Sequence, residues 1–151
     1  MIYLGADHAG FEAKEDLKVF LDKNKYEYKD LGSFKIDLKD DYPDYGSKVA
    51  KTVSLKVKNN KGILICGSAL GMGMVANKYK DVRAAVVSDV KNAKLSRLHN
   101  DANVLCLSGW QLSKLEIEKI VKVWLNTKFT REARHKHRLN KMKKIEKDNF
   151  K

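Results

Sequence analysis

Uninterrupted apolar runs alternate along this chain with segments in which apolar residues recur every three or four positions. Runs without polar alternation are typical of strands buried on both faces, and the three-to-four spacing is typical of amphipathic helices. The expected strands are residues 2–6, 26–31, 62–66, 84–87 and 104–107. A helix follows each strand, and these helices end near residues 24, 60, 77, 98 and 125. A sixth, mostly polar helix covers about 130–148, and residues 99–101 are expected in a loop.

Five strands alternating with helices predict a single three-layer α/β/α Rossmann-like domain with a five-stranded parallel sheet and right-handed crossovers. This domain spans residues 1–151 and carries an extra basic C-terminal helix from about residue 130. We expect the doubly wound strand order 2-1-3-4-5, in which ligands bind where the carboxyl ends of strands 1 and 3 meet. The turn at Asp7 and His8 would then face the stretch 66–73 across one crevice.

The third expected strand ends in a thiol, Cys66, which is followed by the glycine run 67–73. Backbone N–H groups and the positive end of a helix dipole at such a position favour a thiolate or an oxyanion, and we expect them to lower the pKa of this thiol. A lone cysteine after an apolar strand is also a common core residue, which is the interpretation we adopt for Cys106 in the fifth strand. The run lacks the Lys-Ser/Thr pair of a P-loop, so it does not indicate a nucleotide site.

The composition indicates a folded domain, because 43% hydrophobic content in 151 residues is enough for one core. The first residues meet Asp7 too early for a signal peptide, and no apolar run is long enough to span a bilayer. We therefore expect a cytoplasmic protein with no membrane partner. The two cysteines lack Cys-x-x-Cys spacing, which indicates neither a disulfide framework nor a structural zinc site.

The formal net charge of +12 makes nucleic-acid binding an alternative function. Residues 128–151 hold ten Lys or Arg and three Asp or Glu, a local charge of +7. Within them, Arg134 and Arg138 have the spacing to share one helix face, where they would grip a phosphate or carboxylate. A solvated basic helix is the other interpretation of this segment. The same helix has a narrow apolar stripe that suits a limited contact such as a partner subunit: Leu139, Met142 and Ile145.

Five short motifs occur in one order along the chain. They are Gly5-Ala6-Asp7-His8-Ala9-Gly10, Asp41-Tyr42-Pro43-Asp44-Tyr45, Gly62-Ile63-Leu64-Ile65-Cys66-Gly67-Ser68, Ala76-Asn77-Lys78 and His99-Asn100-Asp101-Ala102-Asn103-Val104. Together they resemble the ribose-5-phosphate isomerase B family from residue 2 to about 145. The resemblance implies an aldose-ketose isomerase of the pentose phosphate pathway that needs no cofactor or metal and interconverts ribose 5-phosphate and ribulose 5-phosphate.

The resemblance also implies the catalytic roles. Cys66 matches the base that moves a proton between C2 and C1 of the open-chain sugar. His99 matches the imidazole that assists ring opening, with Asp7 as its helper. Ser68 and the backbone N–H groups of residues 67–71 match the anion hole for the enediolate.

Substrate binding and assembly are implied in the same way. His8, Arg134 and Arg138 match the phosphate-binding positions, and Tyr42 and Asn100 line the sugar. In this family the site is shared across a homodimer, with the His99 loop reaching in from the second subunit, and dimers can pair into tetramers. The full set of implied substrate-binding positions is His8, Tyr42, Gly67, Gly71, Asn100, Arg134 and Arg138.

Two positions depart from the family pattern. Trp110 stands where the family commonly has an arginine after the fifth strand, and Ser68 replaces a more usual threonine. The Trp110 change leaves a second candidate open, an isomerase of hexose 6-phosphates such as galactose or allose 6-phosphate. A relative that has lost catalysis and binds nucleic acid is the third candidate, motivated by the basic tail, but it ranks last because the catalytic set is intact, and we expect no nucleic-acid partner.

Overall fold

The structure is a computed structural model, and it describes residues 1–150. Eleven elements form among these residues, in the order expected for a repeated strand–helix unit. The strands are β1 (Ile2–Ala6), β2 (Tyr28–Asp30), β3 (Lys61–Cys66), β4 (Ala84–Val86) and β5 (Val104–Ser108). The helices are α1 (Phe11–Lys23), α2 (Tyr42–Leu55), α3 (Leu70–Ala76), α4 (Val90–Asn100), α5 (Lys114–Asn126) and α6 (Ala133–Asn149).

All five strands are parallel, and the sheet order is β2-β1-β3-β5-β4. The expected order 2-1-3-4-5 is therefore wrong in its last two strands. The burial explains the exchange, since every residue of β5 is buried whereas β4 leaves Val86 43% exposed and takes the edge. The adjacency of β1 and β3, which places the crevice, is confirmed.

The sheet separates two apolar cores, which confirms the three-layer α/β/α prediction. Alternate residues of β3 face opposite sides, so that Ile63 and Ile65 join the core beneath α1, α4 and α5. Leu64 and Cys66 join the core beneath α2 and α3. Cys106, expected in the core, is fully buried. None of the helices among residues 1–150 combines the length and the apolar composition that crossing a membrane requires.

The helix boundaries follow local hydrogen bonds. The expected cap at Asp89 and the capping box of Ser113 and Glu116 are both present. Helix α2 ends at Leu55 rather than near residue 60, because the Asn60 side chain donates to the Thr52 carbonyl and residues 56–59 form turns.

The fourth helix runs further than expected. It continues to Asn100, so His99 and Asn100 lie in its last turn and not in a loop. Asp101 ends the helix with a left-handed conformation, φ 46°, and its carboxylate accepts from Arg97 and Arg83 at 2.8 and 3.3 Å. These bonds to the cap keep the last turn helical.

A buried ion pair joins the first helix to the edge strand β2. Lys14 is fully buried, and its Nζ donates to Asp30 at 2.5 Å and to Glu15 at 2.7 Å. The other oxygen of Asp30 accepts from the Gly32 N–H at 2.9 Å. Gly32 and Ser33 in turn pair with the main chain of Ala6, so the charge of Lys14 helps to fix the loop after β2 against the end of β1.

We expect Lys14→Met to lower the free energy of unfolding by about 3 kcal/mol, because it leaves the Asp30 carboxylate enclosed without its main partner. Urea denaturation at neutral pH would measure the loss. The matched control is Lys18→Met, since Lys18 lies 3.3 Å from the same carboxylate but is 28% exposed, and its removal should cost less than about 1 kcal/mol. Equal losses for the two variants would contradict this interpretation of the pair.

Candidate active site

The carboxyl ends of β1 and β3 meet at one point. The Asp7 carboxylate accepts from the Gly10 N–H at 3.0 Å, which closes the turn before α1. Gly10 approaches β3 so closely that a Cβ at this position would lie 2.2 Å from the carbonyl oxygen of Ile65. Only glycine fits there, and its absence of a side chain brings Asp7 beside Cys66.

Cys66 lies in the core beneath α2 and α3, with 4% of its surface exposed. Burial is the largest influence and raises the pKa of its thiol, and the nearby Asp7 carboxylate acts in the same direction. Backbone N–H groups of Ser68, Ala69 and Met72 donate to the sulfur and oppose this rise without cancelling it. The expectation that the helix N-terminus lowers the pKa is therefore wrong for the isolated chain, because desolvation outweighs the donors.

Asp7 is 6% exposed, and burial raises the pKa of its carboxyl group. The hydrogen bond from Gly10 and the charge of His8 oppose that rise. His8 itself is bound on its other side by Asp40, whose Oδ1 lies 2.6 Å from Nδ1 and 3.1 Å from the His8 N–H. Hydrogen bonding to Asp40 raises the pKa of this imidazole.

The glycine-rich turn after Cys66 has a constrained backbone and is closely packed against Tyr42. Ala69, the N-cap of α3, adopts a left-handed conformation with φ 69°, which a non-glycine residue enters only at a cost. The Ser68 Oγ accepts from the Leu70 N–H at 3.4 Å. The Tyr42 ring lies so close to Gly71 that a Cβ there would meet it at 2.6 Å. Ser68, Gly71 and Tyr42 thus lie around the turn that follows Cys66.

The loop after β5 completes this end of the sheet. The N–H groups of Gly109 and Trp110 donate to the carbonyls of Cys66 and Gly67 at 2.8 and 3.2 Å, and Ser108 Oγ donates to Gly67 at 2.6 Å. The Trp110 ring covers Gly67, where a Cβ would meet it at 2.5 Å, yet the residue is 74% exposed. An exposed indole therefore forms one wall of the turn that carries the thiol.

A second cluster forms around the end of α4 and the start of α6. The rings of His99 and His135 are stacked, with centroids 4.2 Å apart and planes 12° apart. Arg134 pairs with Glu132 at 2.9 Å and, like Arg138, is exposed. Asn100 is exposed as well and lines a cavity of about 750 Å³ beneath α6.

His135 and Asp40 are functional candidates that the sequence reasoning missed. His135 is 3% exposed, and burial together with the neighbouring His99 lowers the pKa of its imidazole. A histidine between Arg134 and Arg138, on a helix expected to bind an anion, was the available signal. Asp40 gave no such signal, because it stands among the charges of a polar loop and meets His8 only through the fold.

The residues around Cys66 and the cluster around His99 lie at opposite ends of the sheet. In the β3–β5 register Gly62 pairs with Val104 and Cys66 pairs with Ser108. His99 precedes Val104 by five residues and so lies at the amino ends of the strands, whereas Cys66 lies four residues, or roughly 13 Å, further along the sheet. One chain therefore brings Asp7, His8, Tyr42 and the glycine-rich turn to Cys66, and it does not bring His99, Asn100, Arg134 and Arg138 there.

Comparison with known proteins gives one consistent family. Residues 2–142 match the sequence profile described as Ribose/Galactose Isomerase. A protein named "Probable ribose-5-phosphate isomerase B" from Mycoplasma pneumoniae is 43% identical over 141 residues, which cover 93% of this chain and 91% of that protein. The Escherichia coli protein named ribose-5-phosphate isomerase B is 38% identical over 146 residues, covering 96% and 95%.

A solved structure gives the same result. The crystal structure of ribose-5-phosphate isomerase B from Mycoplasma genitalium with bound ribulose-5-phosphate superposes with a TM-score of 0.94 at 39% identity. The match covers 98% of this chain and 97% of that one. The predicted fold class, a single α/β domain with a five-stranded parallel sheet, is thereby confirmed.

We expect Ala69→Gly to leave the free energy of unfolding within about 0.5 kcal/mol of the wild type, because relief of the left-handed conformation offsets the lost methyl burial and the added chain entropy. The control is Ala93→Gly, at an equally buried position inside α4, which should cost about 1.5 kcal/mol since nothing offsets its losses. Thermal and urea unfolding would measure both. A loss at Ala69 as large as that at Ala93 would show that the left-handed backbone carries no strain.

Proposed function

Because the chain belongs to the ribose/galactose isomerase family, we propose that it is a cytoplasmic enzyme that interconverts D-ribose 5-phosphate and D-ribulose 5-phosphate. Family membership confirms the resemblance seen in its motifs. The observation that carries the proposal is the thiol of Cys66 at the end of a buried strand, faced by backbone donors of a glycine-rich turn, in a fold shared with an isomerase that binds ribulose-5-phosphate.

In the proposed reaction the Cys66 thiolate removes the proton from C2 of the open-chain aldose. The electron pair forms the C1–C2 double bond, and the carbonyl oxygen at C1 becomes the enediolate oxygen. The Cys66 thiol then returns a proton to C1, while a proton passes from O2 to O1. Backbone N–H groups of residues 67–71 and the Ser68 hydroxyl stabilise the negative oxygen, a contribution on the order of 3 kcal/mol per donor.

The raised pKa of Cys66 sets a condition on this reaction, since a base must lose its proton near the working pH. Cations brought close to the sulfur would favour the thiolate. The side chains that could supply such a charge are His99, Arg134 and Arg138. Within one chain they lie at the end of the sheet opposite to Cys66. We therefore propose that a second copy of the chain supplies them.

A homodimer with a shared site follows from this division. Cys66, Asp7, His8 and Tyr42 come from one subunit, and His99, Asn100, Arg134 and Arg138 come from its partner. Exposed apolar side chains in and beside the glycine-rich turn support such a contact: Tyr42, Leu70, Met74 and Trp110. Two subunits are enough to complete the proposed site, so a tetramer is not required.

The imidazole stack gives His99 a defined orientation for ring opening. His135 lies flat against it and is kept neutral by its lowered pKa, so the pair avoids two adjacent positive charges. His99 can then exchange a proton with the ring oxygen of the furanose. Asp7, beside Cys66 in the other subunit, would face His99 across the interface and act as its helper.

A second candidate substrate is a hexose 6-phosphate. The observation in its favour is Trp110, which brings an apolar wall rather than the family's usual cation to the mouth of the site. An indole face packs against the carbon chain of a sugar, and a longer sugar presents more of that chain. The pentose remains the first candidate, because the relatives named above are pentose phosphate isomerases.

We expect Cys66→Ala and His99→Asn each to lower isomerisation of ribose 5-phosphate by at least about 100-fold. When the two inactive variants are unfolded together and refolded as a mixture, half of the dimers should be mixed. Each mixed dimer would have one intact site, so about a quarter of wild-type activity should return. Failure of the mixture to regain activity, while each variant still forms dimers by light scattering, would contradict the shared site.

The substrate is tested by a metal-free isomerisation assay on ribose 5-phosphate, allose 6-phosphate and galactose 6-phosphate. We expect kcat/KM to be highest for the pentose. Trp110→Arg, which restores the usual cation, should lower KM for the pentose phosphate with little change in kcat. Turnover of a hexose phosphate without turnover of the pentose would instead identify Trp110 as a specificity residue and replace the first candidate by the second.

A further inference from the structure

One polar contact near the proposed phosphate position was not anticipated from the sequence. Asp40, in the loop between β2 and α2, places a single carboxylate oxygen against both the ring Nδ1 and the main-chain N–H of His8, at 2.6 and 3.1 Å. The Asp40 side chain is 6% exposed and that of His8 is 31% exposed. With Nδ1 occupied, Nε2 is the ring nitrogen that makes no hydrogen bond among residues 1–150, on a side chain that is partly exposed.

We propose that Asp40 is a positioning residue, whose carboxylate fixes the His8 ring so that Nε2 donates to the phosphate group of the substrate. This inference rests on the proposed function, since it assigns His8 to the phosphate of a sugar phosphate. Asp40 touches no reacting atom and acts only through His8. Its effect should therefore be on substrate binding rather than on proton transfer.

The second oxygen of Asp40 strengthens the argument. Oδ2 is buried and makes no hydrogen bond of ordinary geometry among residues 1–150, although the Tyr45 hydroxyl lies close enough to Asp40 for this carboxylate to raise the pKa of the phenol. An enclosed carboxylate with one oxygen unsatisfied is unfavourable unless a full positive charge faces it. His8 is the partner that provides this charge, and the contact is therefore best explained as an ion pair between Asp40 and an imidazolium.

Most of the other charged groups around His8 are carboxylates, which favour the protonated imidazole. Asp7 precedes it and Asp37 lies in the same loop as Asp40, and both raise the pKa of the imidazole. Helix α1 contributes Glu12 and Asp16 to a pocket of about 240 Å³ that His8 also lines. The cation that faces this pocket from α5, Lys114, is paired with Asp16 at 2.8 Å, and the Tyr45 hydroxyl lies beside Asp40. Carboxylates thus outnumber cations, which favours the imidazolium.

The contact with Asp40 determines the pH range over which His8 stays protonated. The hydrogen bond from His8 to Asp40 is the largest influence and raises the pKa, so the imidazolium persists to a higher pH than in a free histidine. Asp40→Asn retains the size of the side chain and an acceptor oxygen but loses the charge. In this variant His8 should lose its proton at a lower pH, and a phosphate donor should be lost at pH 8 but not at pH 6.

The test compares wild type, Asp40→Asn and the control Asp37→Asn, which removes an exposed charge of the same loop that makes no hydrogen bond to His8 and raises the pKa of its imidazole less than Asp40 does. For ribose 5-phosphate we expect Asp40→Asn to raise KM at pH 8 by several-fold, because His8 then loses its proton at a lower pH, with kcat within about twofold. At pH 6 its KM should match the wild type. Asp37→Asn should change KM by less than twofold at both pH values.

A titration of His8 by NMR makes the result independent of turnover. The His8 signals, assigned from their absence in His8→Asn, should titrate above the ordinary range in the wild type and within it in Asp40→Asn. Inorganic phosphate should perturb the wild-type signals at pH 8 and those of Asp40→Asn only at lower pH. Because the wild-type titration does not use Asp40→Asn, it decides the protonation state even if that variant does not fold.

Three results would overturn the inference: an unshifted His8 titration in the wild type, an Asp40→Asn KM raised equally at pH 6 and pH 8, or no change in KM at either pH. The second result would assign Asp40 a structural role only. If the wild type turns over no sugar phosphate, the proposed function fails, and the His8 titration with inorganic phosphate still decides whether Asp40 prepares an anion-binding imidazolium.

Discussion

Enclosure of the Cys66 thiol is the physical constraint on which the site depends. The thiol of a residue that is 4% exposed is costly to ionise, and three backbone donors do not fully offset that cost in the isolated chain. The same enclosure is useful for carbon acid chemistry, because a dry site strengthens every charge and dipole that acts on the enediolate. In the proposed dimer the remaining compensation comes from groups that one chain keeps at the other end of its sheet. Burial of one thiol would thus link the proposed chemistry to assembly.

Much of the fold could be predicted because local signals agreed with the tertiary structure. The Ser113 capping box and the apolar runs of β1, β3 and β5 are each set by a few adjacent residues. The order of β4 and β5 could not be predicted in this way, since both are short apolar runs and only the final burial distinguishes an edge from a centre. The helical state of His99 depended on the bonds that Arg83 and Arg97 make to Asp101, which the sequence does not reveal.

The residues of the candidate site also fall into a predictable group and a group that the sequence could not predict. Residues that lie directly after strands, such as Asp7 and Cys66, were predictable because parallel strands bring their carboxyl ends together. Asp40 and His135 were not, because their roles arise from contacts between segments far apart in the chain, one with His8 and one with His99. Family resemblance supplied the roles of Arg134 and Arg138, which the single chain leaves exposed and distant from the thiol. Neither pattern nor propensity indicates the proposed role of those residues in a partner's site.

The two edges of the sheet have a further consequence. Both β2 and β4 are only three residues long, whereas the interior strands have five or six. A long free edge is a template on which strands of other molecules can pair, and short edges, such as β2 with the exposed charge of Lys29, are a natural protection against it. Association between copies of this chain is therefore left to its helices and loops. The chain can expose the apolar surface that the proposed dimer would use without also exposing a long backbone edge that would promote fibrous aggregation.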